Sequence, residues 1–172
     1  MLIFWIIFAS IFGFYFLLLV VDLIFVFTFN SYTKRHGKSL ILVLTAIYDN
    51  EKAIINLLND YKIKVDEKTL LVYNKINLDN LNNIGSVPYQ ETKSELSYVR
   101  ENLFAIIEEN KEFKELEECK QIKDALDQLL LTYRSYVIMY NADVLGFNYW
   151  VRFLPWRYLF LLFKVKLKDI CL

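Results

Sequence analysis

The sequence predicts an all-α protein in which an N-terminal transmembrane helix is followed by an antiparallel bundle of long helices. Three observations predict this fold class. Residues 1–21 have no side chain that is ionisable near neutral pH, and residues 126–154 repeat with a period of seven. The 172 residues include only four Gly and two Pro, and a chain so poor in turn residues favours helices over a many-stranded β-sandwich.

The charges balance in the sum but are distributed unevenly. Twenty basic and 20 acidic side chains give a formal net charge of zero, which argues against a nucleic-acid partner, since such a partner calls for a basic excess. Residues 1–30 carry one charged side chain, Asp22, and every Lys and Arg lies at Lys34 or later. The hydrophobic share of 56% excludes disorder over most of the length.

Residues 1–30 are predicted to be a transmembrane anchor, because about 20 helical residues span the roughly 30 Å of a bilayer's hydrocarbon core. No Lys or Arg precedes the apolar run, so we expect an uncleaved anchor and not a signal peptide. The basic flank directly after it, Lys34, Arg35 and Lys38, sets the topology by the positive-inside rule. The prediction is therefore a single-pass cell-membrane protein with its N-terminus outside and its C-terminal domain in the cytoplasm.

Asp22 has two interpretations. An intramembrane carboxylate suggests ion coupling or helix pairing. Alternatively, the span begins at Leu2 and ends near Val21, which leaves Asp22 at the lipid–water interface. The second interpretation is preferred, because no second charge in the span offers it a partner.

Residues 31–155 are predicted to form the cytoplasmic helical bundle. Residues 39–47 are apolar but too short to span again, and we expect them to open a buried helix that continues past Ile54. A weaker helix is expected at 66–76, and residues 77–90, rich in Asn with Gly and Pro, are predicted to be a loop. Leu96, Val99, Leu103 and Ile106 then repeat with helical spacing.

Residues 108–120 alternate in charge. Lys111 lies four residues before Glu115, and Lys114 lies four before Glu118. This spacing predicts a solvated helix face with ion pairs one turn apart.

The strongest regularity lies in residues 126–154, where two sets of apolar side chains each repeat every seven residues, as in a coiled-coil seam. Because Lys123 interrupts the pattern upstream, we expect this seam to pack inside the chain's own bundle and not in a long extended dimer. Pro155 is expected to end the helix. The two sets are Leu126, Tyr133, Tyr140, Phe147 and Leu154, and Leu130, Val137, Val144 and Val151.

Residues 156–172 form a tail of aromatic and basic side chains whose apolar part is too short to span a membrane. Such a composition is typical of a segment that lies at the lipid surface, and packing of the tail on the bundle is the alternative. The candidates for membrane contact are Trp156, Arg157, Tyr158, Lys164, Lys166 and Lys168.

Residues 140–155 read YNADVLGFNYWVRFLP. This stretch resembles the C-terminal signature of the LemA family, and Phe29-Asn30 after the anchor is similar to that family's first Tyr-Asn pair. The resemblance implies a bacterial membrane protein with long antiparallel helices, an external N-terminus and a cytoplasmic domain, and it implies no catalytic residues. The eight matching positions are Tyr140, Asn141, Val144, Phe147, Asn148, Val151, Leu154 and Pro155.

Asn141 and Asn148 lie one heptad apart beside the aromatic positions of the seam. We expect each side-chain amide to bond the backbone or a side chain of a neighbouring helix and so to fix the helix register. Contact with a ligand is the alternative.

The remaining motifs give no basis for catalysis. There is no Gly-rich phosphate loop, His-Glu-x-x-His or Gly-x-Ser-x-Gly, and Cys119 and Cys171 lack the paired spacing of a zinc or redox site. The single histidine, His36, is interpreted as part of the basic flank, and a di-iron site would need two Glu-x-x-His pairs. We therefore expect no enzyme, no cofactor and no metal.

Three functional hypotheses follow. The preferred one is a membrane-anchored interaction or scaffold module, with the bilayer and either a protein partner or a second copy as its partners. The second is an accessory subunit of a membrane protease, transporter or envelope-stress complex. The third and least favoured is an enzyme that acts on lipid at the membrane surface through a pair of carboxylates.

Overall fold

The fold is seen in a computed structural model that describes residues 1–153, 157–162 and 164–171. Leu154, Pro155 and Trp156, and the side chain of Tyr158, lie outside the described residues. Within the described residues every regular element is a helix, which confirms the predicted all-α class. The long N-terminal helix packs against the long C-terminal helix.

Helix α1 (Leu2–Asp60) is a single helix of 59 residues, about 88 Å long at 1.5 Å per residue. The sequence predicted an anchor and then a new buried helix from residue 39, whereas α1 continues through that region without a break. Gly37 alone does not interrupt it, because a lone Gly in a helix costs only about 1 kcal/mol. The predicted boundary at residue 30 therefore falls inside one continuous helix.

The start of α1 and its later turns differ in burial. Residues 1–17 are all exposed. Near its N-terminus α1 contains an 18-residue window that is, by length and composition, apolar enough to cross a membrane. From residue 40 onward α1 contributes one face to the core, through Leu40, Val43, Leu44, Ile47, Ile54, Ile55 and Leu58.

Helix α1 ends where Lys62 adopts a left-handed conformation (φ 58°) and the Ile63 N–H bonds the Leu58 carbonyl, as in a Schellman cap. Helix α2 (Glu67–Lys75) follows, close to the predicted 66–76. The Asp66 side chain caps it by accepting from the Thr69 N–H.

The predicted loop at residues 77–90 is largely helical. A short 3-10 helix covers Leu78–Asn82, and helix α3 (Val87–Glu109) begins earlier than expected. Ser86 caps α3 by accepting from the Tyr89 N–H, and Pro88 lies in the first turn, where its missing N–H is not needed.

The predicted ion-paired face at 108–120 is wrong. Helix α3 ends at Glu109, the short α4 covers Lys111–Lys114, and α5 (Glu117–Arg152) then begins, so these residues do not share one helix. Glu108 instead bonds Lys114 and Lys123, and Lys120 pairs with Glu115. Hydrogen bonds from the two lysines lower the pKa of Glu108 to about 2.

Helix α5 runs antiparallel to α1. His36 lies against Asp143, and nearer the N-terminus Phe25 stacks on Trp150 with ring centroids 4.5 Å apart. Helix α5 ends at Arg152, and α6 (Arg157–Leu162) follows. The predicted seam faces the chain's own core: Leu126, Tyr140, Val144, Phe147 and Val151 are buried, Leu130, Tyr133 and Val137 are partly buried, and Leu154 lies outside the described residues.

Candidate functional site

The predicted motif residues Asn141 and Asn148 hold the C-terminal segment, residues 164–171, against α5. The Asn141 Nδ2 donates to the Cys171 carbonyl at 2.8 Å, and the Cys171 N–H donates back to Asn141 Oδ1 at 2.7 Å. Asn148 forms the same pair of bonds with Lys168, both at 2.9 Å. We call these two asparagines the clasp.

The clasp binds an irregular segment, not a neighbouring helix as the sequence led us to expect. Residues 165–171 have no regular secondary structure, so the backbone N–H and C=O groups of Lys168 and Cys171 can pair with side chains. An amide side chain offers one acceptor and two donors, and it can therefore bond both backbone groups of one residue. The two asparagines therefore bond backbone groups, but the expected partner, a neighbouring helix whose register they would fix, is wrong.

Lys168 connects the C-terminal segment to α1. Its ammonium donates to the Asn30 Oδ1 at 2.7 Å and lies 4.5 Å from the centre of the Phe147 ring. Burial and, to a lesser degree, the nearby Lys34 charge lower the pKa of Lys168. Lys168 was predicted as a membrane contact, but its charge is held by the bundle.

The other candidates for membrane contact that the structure describes remain at the surface. Arg157, Lys164 and Lys166 are exposed, whereas Phe160 of α6 is buried in a second core cluster with Val26, Phe147 and Val151. The tail therefore packs on the bundle in part and also presents cations to its surroundings.

Cys171 ends the described segment in a buried pocket. It is 2% exposed, and its Sγ lies 3.3 Å from the Tyr89 Oη and 3.8 Å from the Tyr133 Oη. Burial raises the pKa of both phenols, so both keep their protons at neutral pH. The Tyr140 hydroxyl also donates to the Asp169 carbonyl at 3.4 Å, which adds a third member of the sequence motif to the contact.

Two glycines allow this close packing. Gly85 has φ +87°, and a Cβ added there would stand 2.8 Å from the Asp169 Cβ. A Cβ on Gly146 would stand 2.5 Å from the Phe29 ring, so the Phe29 ring lies directly on the α5 backbone.

A polar pair lies across the α1–α5 contact near the basic flank. The His36 Nδ1 and the Asp143 Oδ2 are 2.6 Å apart, and Asp143 is 8% exposed. His36 is thus a bonded residue of the helix contact, not a free member of the flank. Lys34, Arg35 and Lys38 themselves are all exposed.

Two buried carboxylates on α1 lie far apart. Asp22 is 1% exposed and Glu51 is fully buried, and within the part of the chain that the structure describes no hydrogen bond reaches the oxygens of either side chain. Desolvation raises the pKa of Glu51 to about 8, and the Arg100 charge opposes this rise only in part. They are 29 positions apart on one helix, so they do not form the pair that a carboxylate enzyme would need.

The chain matches no family model, no curated protein and no solved structure. The resemblance of its motif to LemA therefore stays a prediction.

Sequence reasoning missed several residues of this region. The sequence does carry a signal for Asp143 as a residue of the helix contact. Asp143 and Arg134 are the only charged residues between 128 and 151, and Asp143 is next to a position of the inward seam. The contacts of Tyr89 and Cys171 lack such a signal, since they depend on where an irregular segment lies. Within the predicted motif, Val144, Phe147 and Val151 serve the core, and Leu154 and Pro155 lie outside the described residues.

Proposed function

We propose that this chain is a LemA-like single-pass membrane protein with its N-terminus outside and a cytoplasmic helical bundle that serves as an interaction or scaffold module. One observation carries the proposal. Residues 1–17 are uncharged and wholly exposed in the folded chain, yet they belong to the same continuous helix as the core. An apolar surface of this extent is far larger than the few hundred Å² that soluble monomers leave exposed, and lipid would cover it.

The exposed basic flank supports the proposed orientation. Lys34, Arg35 and Lys38 stand on α1 after the apolar turns, and residues 1–33 contain no Lys or Arg. Positive charge next to a span favours the cytoplasmic side. Because α1 is unbroken, the bundle would stand directly on the membrane with no flexible linker.

Alkaline extraction and cysteine labelling of the full chain test this proposal. We expect the chain to stay in the membrane pellet at alkaline pH, and Phe12→Lys to weaken insertion, since a lysine at mid-span costs about 2.5–3.5 kcal/mol. In intact cells an impermeant thiol reagent should label Leu2→Cys, but it should label Glu101→Cys only after lysis. Both native cysteines are buried and give a low background. Release of the chain at alkaline pH, or labelling of Glu101→Cys in intact cells, would contradict the proposal.

Purification in mild detergent addresses the module's partners. A scaffold module is expected to purify alone, as an assembly with a second copy of this chain, or with partners that bind the helical bundle. A stable hetero-complex that is lost when the anchor is exchanged for an unrelated transmembrane helix would favour the accessory-subunit hypothesis instead.

A further inference from the structure

The outward face of α5 changes in character at Asp127. Between Glu117 and Asp127 the helix carries charges on most turns, as solvated helices do. From residue 128 to residue 151 it carries only Arg134 and Asp143, and Asp143 is bonded to His36. The outer face of the second half of α5 therefore carries far fewer charges than that of the first half.

The exposed residues of this half form a stripe with the spacing of a coiled coil. Leu131, Ile138 and Leu145 recur every seven residues and are 62%, 70% and 63% exposed. Ser135, Ala142 and Tyr149 lie between and after them, so the steps along the stripe alternate between four and three residues. We call these six residues the outer stripe; it is distinct from the inward seam, which packs on the chain's own core.

The inference about the outer stripe rests on the membrane anchor proposed above. With the chain anchored in that way, lipid covers at most one end of the stripe. Asp143 lies level with His36, just past Lys34 and Arg35 of the basic flank. Leu131 is 12 positions farther along α5, about 18 Å beyond that level toward the aqueous side. Hydrocarbon does not extend past the basic flank, so lipid does not cover Leu131 and Ile138, and a protein surface is the remaining candidate.

We propose that the outer stripe is the contact surface between two copies of this chain, whose α5 helices lie parallel and in register. Anchors inserted with the same topology hold both α5 helices in the same direction, which gives a two-fold axis along the membrane normal. The apolar area of the stripe comes from Leu131, Ile138, Leu145 and Tyr149, each more than 60% exposed. A second copy that covers all four would bury a continuous helix face, as the core of a standard interface does. Ser135 and Ala142 allow close approach of the two helices, and the stripe itself has no charge to repel its copy.

Cysteine cross-linking in membranes that contain the full chain tests the proposed contact. In a parallel pair, Ile138 of each copy faces the other across the axis, so Ile138→Cys comes within disulfide reach. The matched control is Thr132→Cys, which is also exposed but points about 100° away from Leu131. We expect mild oxidation to give a several-fold stronger disulfide-linked dimer with Ile138→Cys than with Thr132→Cys. The unmodified chain provides the blank.

A second variant separates contact from random collision. Leu145→Cys should also cross-link, and adding Ile138→Glu to it should abolish the dimer, because an exposed Ile138 can become charged without loss of the bundle's core. Equal yields at 138 and 132, or a Leu145→Cys dimer that survives Ile138→Glu, would overturn the inference. The same membranes are extracted at alkaline pH: a chain that resists extraction but does not cross-link refutes only the dimer, whereas an extracted chain refutes the proposed anchor.

Discussion

Replacing Asn141 with Ala should release the end of the C-terminal segment. The variant loses both hydrogen bonds to the Cys171 backbone, of 2.8 and 2.7 Å. Each such bond contributes about 0.5–1.5 kcal/mol net, so the pair holds the segment closed by about 2 kcal/mol. Since every 1.4 kcal/mol is a factor of ten, the fraction of molecules with an open segment should rise about 30-fold.

The thiol of Cys171 reports this opening directly. It is 2% exposed in the closed state, and a thiol reagent modifies it only when the segment leaves its pocket. We expect the labelling rate of Cys171 to rise about 30-fold in Asn141→Ala, in proportion to the open fraction. Cys119, also 2% exposed but near the start of α5, is an internal reference whose rate should not change. Mass spectrometry of the two cysteine peptides reads both rates in one sample.

A matched variant controls for the loss of any partly buried amide. Asn102 donates to the Tyr98 carbonyl of its own helix at 2.7 Å and does not touch the segment, so Asn102→Ala should leave the Cys171 rate unchanged. An unchanged Cys171 rate in Asn141→Ala would mean that apolar packing alone holds the segment. Equal rises at Cys171 and Cys119 would mean that the variant unfolds as a whole, and either result would refute the clasp.

Two further predictions concern stability. Gly146→Ala places a Cβ 2.5 Å from the Phe29 ring and should lower the free energy of unfolding, measured by denaturant titration, by about 1–3 kcal/mol. The control is Gly13→Ala, whose Cβ meets nothing within 4 Å and should not lower the free energy of unfolding. Equal effects of the two variants would contradict the close contact at Gly146. Burial raises the pKa of the Glu51 carboxyl to about 8 in the folded state. Between about pH 4.5 and about pH 8 the folded state therefore keeps a proton that the unfolded state releases. As the pH rises through this range, the free energy of unfolding should fall by up to about 1.4 kcal/mol per pH unit. Glu51→Gln should flatten that slope, and parallel pH profiles of the two proteins would show that Glu51 is not its source.

The helices themselves were largely predictable because their signals are local and periodic. The inward seam of α5 followed from a seven-residue repeat, and α2 was predicted to within about a residue at each end. The start of α3 was missed although Ser86 and Pro88 carry the ordinary signals of a helix N-terminus. The surrounding Asn and Gly residues outweighed that signal in the prediction of a loop.

The ion pairs at residues 108–120 were not predictable from spacing. The rule that pairs residues four apart assumes one uninterrupted helix, and the chain leaves the helix at Asn110 and again at Leu116. Glu108 then bonds Lys123, 15 positions away and on another helix. Such a pair depends on the angle between two helices, which no local pattern contains.

The spacing of the clasp matches the spacing of the two residues that it bonds. Asn141 and Asn148 are seven positions apart, which is about 10.5 Å along a helix, and three residues of extended chain cover about 10 Å. Lys168 and Cys171 are three residues apart and bond the two asparagines in reverse order, so the segment runs antiparallel to α5. An asparagine pair one heptad apart therefore fits every third residue of an extended segment. On a neighbouring helix, the two residues level with Asn141 and Asn148 would themselves be seven positions apart. The backbone N–H and C=O groups of that helix would already be hydrogen-bonded within it.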